Sequence, residues 1–252
     1  MKEVRLFKLT WPEVKEYLEE NDTIIVPTGS NEQHGLHMAL DNDVFTAFEI
    51  SKRVAARTGV LVAPPIPVGY SPHHMDFPGS ITLTFDTLVN VYKEVCLCLF
   101  KHGFKKIAIF NGHGGNRNPI AQALREIRLE TGDIVYATLV FPTGTGFAAE
   151  AHQKYIETPG GHADEMETSV GLYLGQRVLF DKGKKGELPP GTSEFFKKYI
   201  VSRKVVIAKD FADDTVSGSH GDPTYATKEK GQKTVEALVD ELVEFIEDLK
   251  AL

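Results

Sequence analysis

Apolar residues along this chain fall into two rhythms. Short runs rich in β-branched residues recur at Thr23–Val26, Val60–Ala63, Ile107–Phe110 and Ile134–Val140, and compact runs of this kind predict buried strands. Between them lie longer segments in which apolar residues return every three or four positions, the spacing of an amphipathic helix. Val44–Ala56 sets Phe45, Phe48 and Val54 among charges, and Thr87–Phe100 repeats the pattern. Pro119–Leu129 opens on a proline that suits a first helical turn. Glu165–Leu174 is a shorter candidate helix and Glu229–Leu249 a long, strongly amphipathic one. Strands alternating with helices predict βαβ units, hence an α/β fold with a mostly parallel central sheet flanked by helices on both faces. The stretch 181–191, DKGKKGELPPG, breaks both rhythms and predicts a surface loop or a partner-contacting excursion. No internal repeat or compositional shift marks a boundary, so residues 1–252 are expected to form one domain.

Composition narrows the class. With 42% hydrophobic and 25% charged residues the chain reads as an ordinary globular protein. A net charge of −7 argues against a nucleic-acid surface, which needs a basic stripe. No apolar run approaches the ~20 residues of a membrane span, and the start, MKEVRLFKLTW, lacks the apolar core of an export signal. A cytoplasmic location is therefore expected. Cys96 and Cys98, two positions apart on a predicted helix, do not face each other, so they read as structural thiols.

Three stretches carry chemistry. Directly after the first strand, PTGSNEQHGLHMALDND places Glu32, His34, His37, Asp41 and Asp43 on a glycine-punctuated loop. Carboxylate and imidazole together suit a borderline divalent ion such as Zn, Mn or Fe. Asp43 also fits the cap of the following helix, and His37 and Asp41 rank behind the others. The second stretch, IFNGHGGNRNP, ends the third strand run and surrounds His113 with glycines that permit close approach of a ligand. It lacks GxGxxG and a GK[ST] ending, so a metal-ligating His113 is a better reading than a phosphate loop. Asn111 and Asn116 read as turn residues or as donors to a substrate oxygen. The third stretch, GGHADEMETS, opens a helix with His162, Glu165 and Glu167. Two positions apart on a helix, the glutamates point in different directions, so only one faces a site. Ligands in open α/β sheets bind outside the carboxyl ends of the strands, where these stretches converge.

The order E-x-H-G-x-H…D-x-D, NGHGGN and HA-x-E-x-ETS resembles the creatininase (creatinine amidohydrolase) superfamily from about Pro27 to GDPTYATKEKG at 221–231. HHMDFPGSITL, residues 73–83, is similar to the family's FPGT-type element. The resemblance implies a three-layer α/β/α hydrolase with one or two divalent ions (Zn, Mn or Fe), assembled as a homohexamer. It implies Glu32, His34, Asp43 and His113 as ligands, with Asp43 bridging if two ions bind. Creatininase itself has a glutamate two residues after the NGH histidine, and this chain has Gly115 there. The chain thus resembles the NGHGGN branch, in which the glutamate of HAGE completes the ligand set. The matching residue is Glu165, and Asp164 stands where that motif has glycine. The branch includes formamide hydrolases, a peptidase of redox-cofactor maturation and a hydrolase that opens a keto-inositol ring.

The expected chemistry is metal-assisted hydrolysis of a small non-peptide substrate, with an ion acidifying water and polarising a carbonyl. The expected bond is the C–N bond of a cyclic amide or formamide. Its rivals are C–C ring opening of a keto-cyclitol and a non-enzymatic, metal-holding structural role. His162 is the candidate proton shuttle beside the ligand Glu165, because imidazole titrates near working pH. Its bland alternative is to hold a ligating carboxylate. His74 and Tyr70, with Asn111 and Asn116, are the candidate substrate contacts, and His73 and Phe77 are expected to border the pocket.

Overall fold

The computed structural model describes residues 3–142, 146–201, 204–205 and 207–252. Four parallel strands, β1 (Thr23–Thr28), β2 (Leu61–Val62), β3 (Lys106–Asn111) and β4 (Val135–Leu139), form one sheet in the order β2-β1-β3-β4. The four apolar runs of the sequence supply all of them, each within two residues of the expected bounds. β1 is paired on both sides and every one of its residues is buried, which is why it reads as a continuous apolar run.

Side chains alternate across the sheet and feed two cores. Ile24 and Val26 of β1 join Ile107 and Ile109 of β3 on one face, packed against α3 (Phe85–His102) and α4 (Arg117–Thr131). Ile25, Ala108 and Phe110 point to the other face, against α2 (Asn42–Thr58), α6 (Glu165–Leu174) and the long α8 (Lys228–Ala251). This is the expected three-layer α/β/α arrangement. Among the described residues three α-helices fall outside the sequence expectation: α1 (Trp11–Glu20), α5 (Ala149–Tyr155) and α7 (Phe211–Asp214). α1 announces itself through the Thr10–Glu13 capping box with Pro12 in its first turn, and the four-residue α7 opens on a capping box of Asp210 and Asp213. Among the described residues no helix is long and apolar enough to cross a membrane. Cys96 is buried and Cys98 exposed, and both are free thiols.

Two close approaches position the functional loops. Gly29, just past β1, and Gly112, just past β3, lie directly under the first turn of α2. A Cβ on either would collide with the backbone of Asp43 or Val44, so only glycine lets the helix sit this close. α2 therefore begins immediately over the carboxyl ends of β1 and β3. Its N-cap residue is Asp41, so Asp43 lies within the first turn and is not the cap.

Candidate metal centre

Glu32 and His34 leave the end of β1, Asp43 comes from the first turn of α2, and His113 follows β3. The fold brings these four together in a buried cluster, each 4% exposed or less. His34 Nε2 lies 3.0 Å from Asp43 Oδ1, and His113 Nδ1 lies 3.1 Å from Asp43 Oδ2 and 3.3 Å from Glu32 Oε2. Asp43 thus spans the two imidazoles, one oxygen toward each.

Glu165, expected as the remaining ligand, is elsewhere. Its carboxylate is paired with Lys230 Nζ at 2.6 Å and accepts bonds from the Thr158 N–H and hydroxyl at 2.8 and 2.7 Å. The glutamate that faces the cluster is Glu167, with Oε2 3.7 Å from His34 Nε2. At about 100° per residue the two glutamates diverge by roughly 200°, and the helix presents the second of them. Asp164, the N-cap of α6, accepts the Glu167 N–H at 2.9 Å and so fixes that first turn.

The two inner histidines have their outer nitrogens committed. A carbonyl can only accept, so His34 Nδ1–H donates to the Glu32 carbonyl (3.2 Å) and His113 Nε2–H to the Tyr70 carbonyl (3.0 Å). Each neutral ring then turns a lone pair onto carboxylate oxygens that also carry only lone pairs. His34 Nε2 and Asp43 Oδ2 are buried with no hydrogen-bond partner. Such a set is held together only by positive charge placed among its members. Protons answer this in the metal-free state. Burial alone would lower the His34 imidazole, yet the Asp43 carboxylate outweighs it and pushes it up to about 10. His113 is likewise raised well above its ordinary range, against burial, chiefly by Glu32. Burial raises Glu167, with the His34 charge opposing. A divalent ion fits the same donors, and committed outer nitrogens are the usual arrangement around metal-bound histidines. Among the described residues three groups have the spacing to hold an ion: Glu32–Asp43–His113, His34–His162–Glu167 and Glu32–His74–His162.

Glu32, Asp43, His113 and Glu167 form the floor of a cavity of about 550 Å³, which His73, His74, His162 and Arg117 also line. Phe211 of α7 roofs it, its ring stacked 4.0 Å from His74 and set edge-on 4.7 Å from His162. No local sequence signal marks Phe211, because it arrives from a short helix far along the chain. Ser71 is another residue the sequence reading passed over; its hydroxyl donates to Glu32 Oε2 at 2.5 Å.

Three expected substrate contacts are spent on structure. The Asn111 amide closes a turn around His113, accepting its N–H at 3.0 Å and donating to its carbonyl at 2.7 Å. Asn116 ties the Tyr70 N–H (2.9 Å) to the Gly29 carbonyl (2.9 Å). The Tyr70 ring packs edge-on against Phe85, and neither it nor Phe77 is among the cavity's lining residues. His37 is buried and holds Thr168 of α6 through a 2.8 Å bond, so it braces the loop against the helix. Asp41 lies at the α2 N-cap and receives a bond from Gln176 at 3.2 Å.

The sequence signature of the creatininase family, described as creatinine amidohydrolase, matches residues 8–246. The chain is 29% identical to the 3-dehydro-scyllo-inosose hydrolase of Thermotoga maritima, over 96% of this chain and 82% of that one. It is 30% identical to the creatinine amidohydrolase of Pseudomonas putida, over 98% and 97% of the two chains. Among solved structures, a manganese creatininase superposes with a TM-score of 0.82 at 27% identity over 99% of both chains. A glutamate-to-glutamine variant of creatininase, of Zn-Zn type, superposes at 0.81 with 25% identity over 99% of both.

Proposed function

The chain belongs to the creatininase family and is a metal-dependent hydrolase, and from that premise we propose that it cleaves the C–N bond of a small cyclic amide or formamide. The observation that carries the reading is Asp43, whose two carboxylate oxygens each face a different buried imidazole, Oδ2 with no hydrogen-bond partner. In this reading Glu32, Asp43 and His113 would hold a divalent ion, with His34 and Glu167 beside them as the donors for a second. Zinc or manganese is the ion of choice, since the solved relatives carry those names. A bound ion supplies Lewis-acid polarisation of the carbonyl and lowers the pKa of water.

The chain's own groups do the rest. Ser71 steadies Glu32 through its hydroxyl, and the Glu32 and Tyr70 carbonyls fix the rings of His34 and His113. His162, buried beside the cluster, takes the proton of the attacking water as its oxygen bonds to the carbonyl carbon. It returns that proton to the nitrogen as the C–N bond breaks, giving an amine and a carboxylic acid, which then ionises to the carboxylate. His74 and His73 border the substrate, with the Phe211 ring stacked on His74 at the cavity wall. The protein works in the cytoplasm as a homo-oligomer, with the hexamer of the resemblance as the expected form.

One observation favours a second reading, C–C ring opening of a keto-cyclitol: the likeness to the Thermotoga hydrolase named for such a substrate. Both readings use the same water and the same proton carrier. Zinc- or manganese-loaded protein incubated with creatinine, other lactams, formamides and keto-cyclitols separates them by product mass. Hydrolysis of an amide, lost in His162→Asn with metal content retained, is the expected result. Turnover confined to keto-cyclitols would replace the first reading with the second.

A further inference from the structure

Gln33 stands between Glu32 and His34 in sequence, and its side chain is enclosed beneath the cavity floor at 4% exposure. Two backbone groups orient its amide. Oε1 accepts the Gly35 N–H at 2.9 Å, and Nε2 donates to the Gly218 carbonyl at 3.0 Å. Flipping the amide would set oxygen against oxygen and N–H against N–H, so only this orientation satisfies both. Gly218 belongs to the arrangement: its φ is +82°, and a Cβ there would strike the Gln33 amide.

The amide nitrogen has two hydrogens. Gly218 takes one, and His74 Nδ1, 3.0 Å away, is placed to take the other. His74 Nδ1 is then an acceptor, which puts the ring proton on Nε2, 3.3 Å from Glu32 Oε1. The backbone of Gln33 acts on the other histidine. Its carbonyl lies 2.7 Å from His162 Nε2, so that nitrogen carries the proton and donates. The Gln33 amide nitrogen lies 3.0 Å from the same His162 atom, but its hydrogens are already committed. What remains on His162 is the bare Nδ1, 3.8 Å from Glu32 Oε1.

We propose that Gln33 is a positioning residue that sets the ring tautomers of His74 and His162. Its side chain makes His74 an N–H donor to Glu32, and its carbonyl leaves His162 Nδ1 as the one lone pair turned toward the cluster. The assignment chooses among the three possible ion groups. His74 has no lone pair to give while Gln33 holds its Nδ1, so the Glu32–His74–His162 group takes no ion. Ions are confined to the groups that contain Asp43 or Glu167. His74 instead buttresses Glu32, and His162 keeps its one lone pair, on Nδ1, on the side of the cluster. This rests on the metal-centre reading above only for its consequences, because the tautomers follow from protein atoms alone.

Zinc-loaded protein labelled with ¹⁵N-histidine tests it through two-bond ¹H–¹⁵N correlations, which distinguish a protonated ring nitrogen from a bare one. His74→Asn and His162→Asn supply the assignments. Expected are a protonated Nε2 on both rings and an unprotonated Nδ1 on both. In Gln33→Glu an acceptor faces His74 Nδ1, so the His74 pattern inverts while His162, held by a backbone carbonyl, keeps its own. In Gln33→Met the donor vanishes and His74 becomes a mixture of tautomers. Wild-type protein with the proton on His74 Nδ1 overturns the proposal, as does an unchanged His74 pattern in both folded variants. Should neither variant fold, the wild-type pattern still decides. Zinc content, measured on the same samples, reports separately on the metal-centre reading: a chain that binds no zinc sinks that reading, while the metal-free spectrum still tests the tautomers.

Discussion

Glu165 and Glu167 differ by two positions and by everything around them. Glu165 is fully buried with Lys230 and the Thr158 hydroxyl as partners, a stabilising ion pair away from the cluster. Glu165→Gln leaves Lys230 with Glu157 and the Tyr225 carbonyl and weakens a set of charge-assisted bonds, a loss on the order of 3 kcal/mol for a broken buried pair. For a chain of this size that lowers Tm by roughly 6–12 °C, with metal content unchanged. Glu167→Gln should do the reverse. It removes a charge from the cluster, so metal affinity falls by more than the roughly 10–100-fold that losing a ligand's supporting partner costs, while burial of a raised carboxyl keeps the fold intact. Bound metal and melting temperature, measured on both variants, check the pair together. A second comparison uses the neighbours of Asp43. Asp43→Ala is expected to lose more metal than His34→Ala because both imidazoles face it, and His37→Ala to retain metal because that ring bonds Thr168.

At the scale of elements, the site depends on how closely α2 sits on the strand ends. Gly112 is placed where any side chain would collide with the Asp43 backbone, whereas Gly114, two residues on, has open space beside it. Gly112→Ala must push the first turn of α2 away, at a cost of about 1–3 kcal/mol for overpacking, and Asp43 moves with it. Reduced thermal stability and weaker metal binding are expected together. Gly114→Ala meets nothing and should stay within roughly 0.5 kcal/mol of wild type. α6 is held in the same manner from its other side, where a Cβ on Gly231 of α8 would strike the Ser169 backbone. The two helices that bring Asp43 and Glu167 to the cluster are therefore docked by glycine contacts, and titrating each variant with zinc measures how far docking sets affinity.

Across the whole molecule, the cluster buries two imidazoles against three carboxylates beneath a three-layer fold. A ligand that binds the folded chain alone stabilises it by RT ln(1 + [L]/Kd), about 2.7 kcal/mol at a hundredfold excess over Kd. Zinc or manganese added to chelator-treated protein should accordingly raise Tm by roughly 5–11 °C. The same addition to Asp43→Ala should raise it little. Calorimetric scans with and without metal read this directly, and equal shifts in both proteins would remove Asp43 from the metal site.

The layers, and the residues gathered at the strand ends, can be read from local pattern alone. Short runs that are apolar throughout and bounded by turn residues read as buried strands, and the amphipathic stretches between them as helices that cover the sheet, so β1 to β4 and the helices α2, α3, α4, α6 and α8 were legible in the sequence. Glu32, His34, Asp43 and His113 were legible too, because each lies next to a strand end or a glycine turn that sends it to one place. Tertiary structure decided the rest, for physical reasons local pattern does not hold. Which face of α6 meets the cluster depends on Lys230 claiming Glu165 from α8, a contact across 65 residues. Asn111 and Asn116 look like substrate donors until the backbone groups that use their amides are seen in space. Phe211 and Gln33 carry no motif, since a roof and a proton-setting amide are defined only by what they touch once the chain has closed over the site.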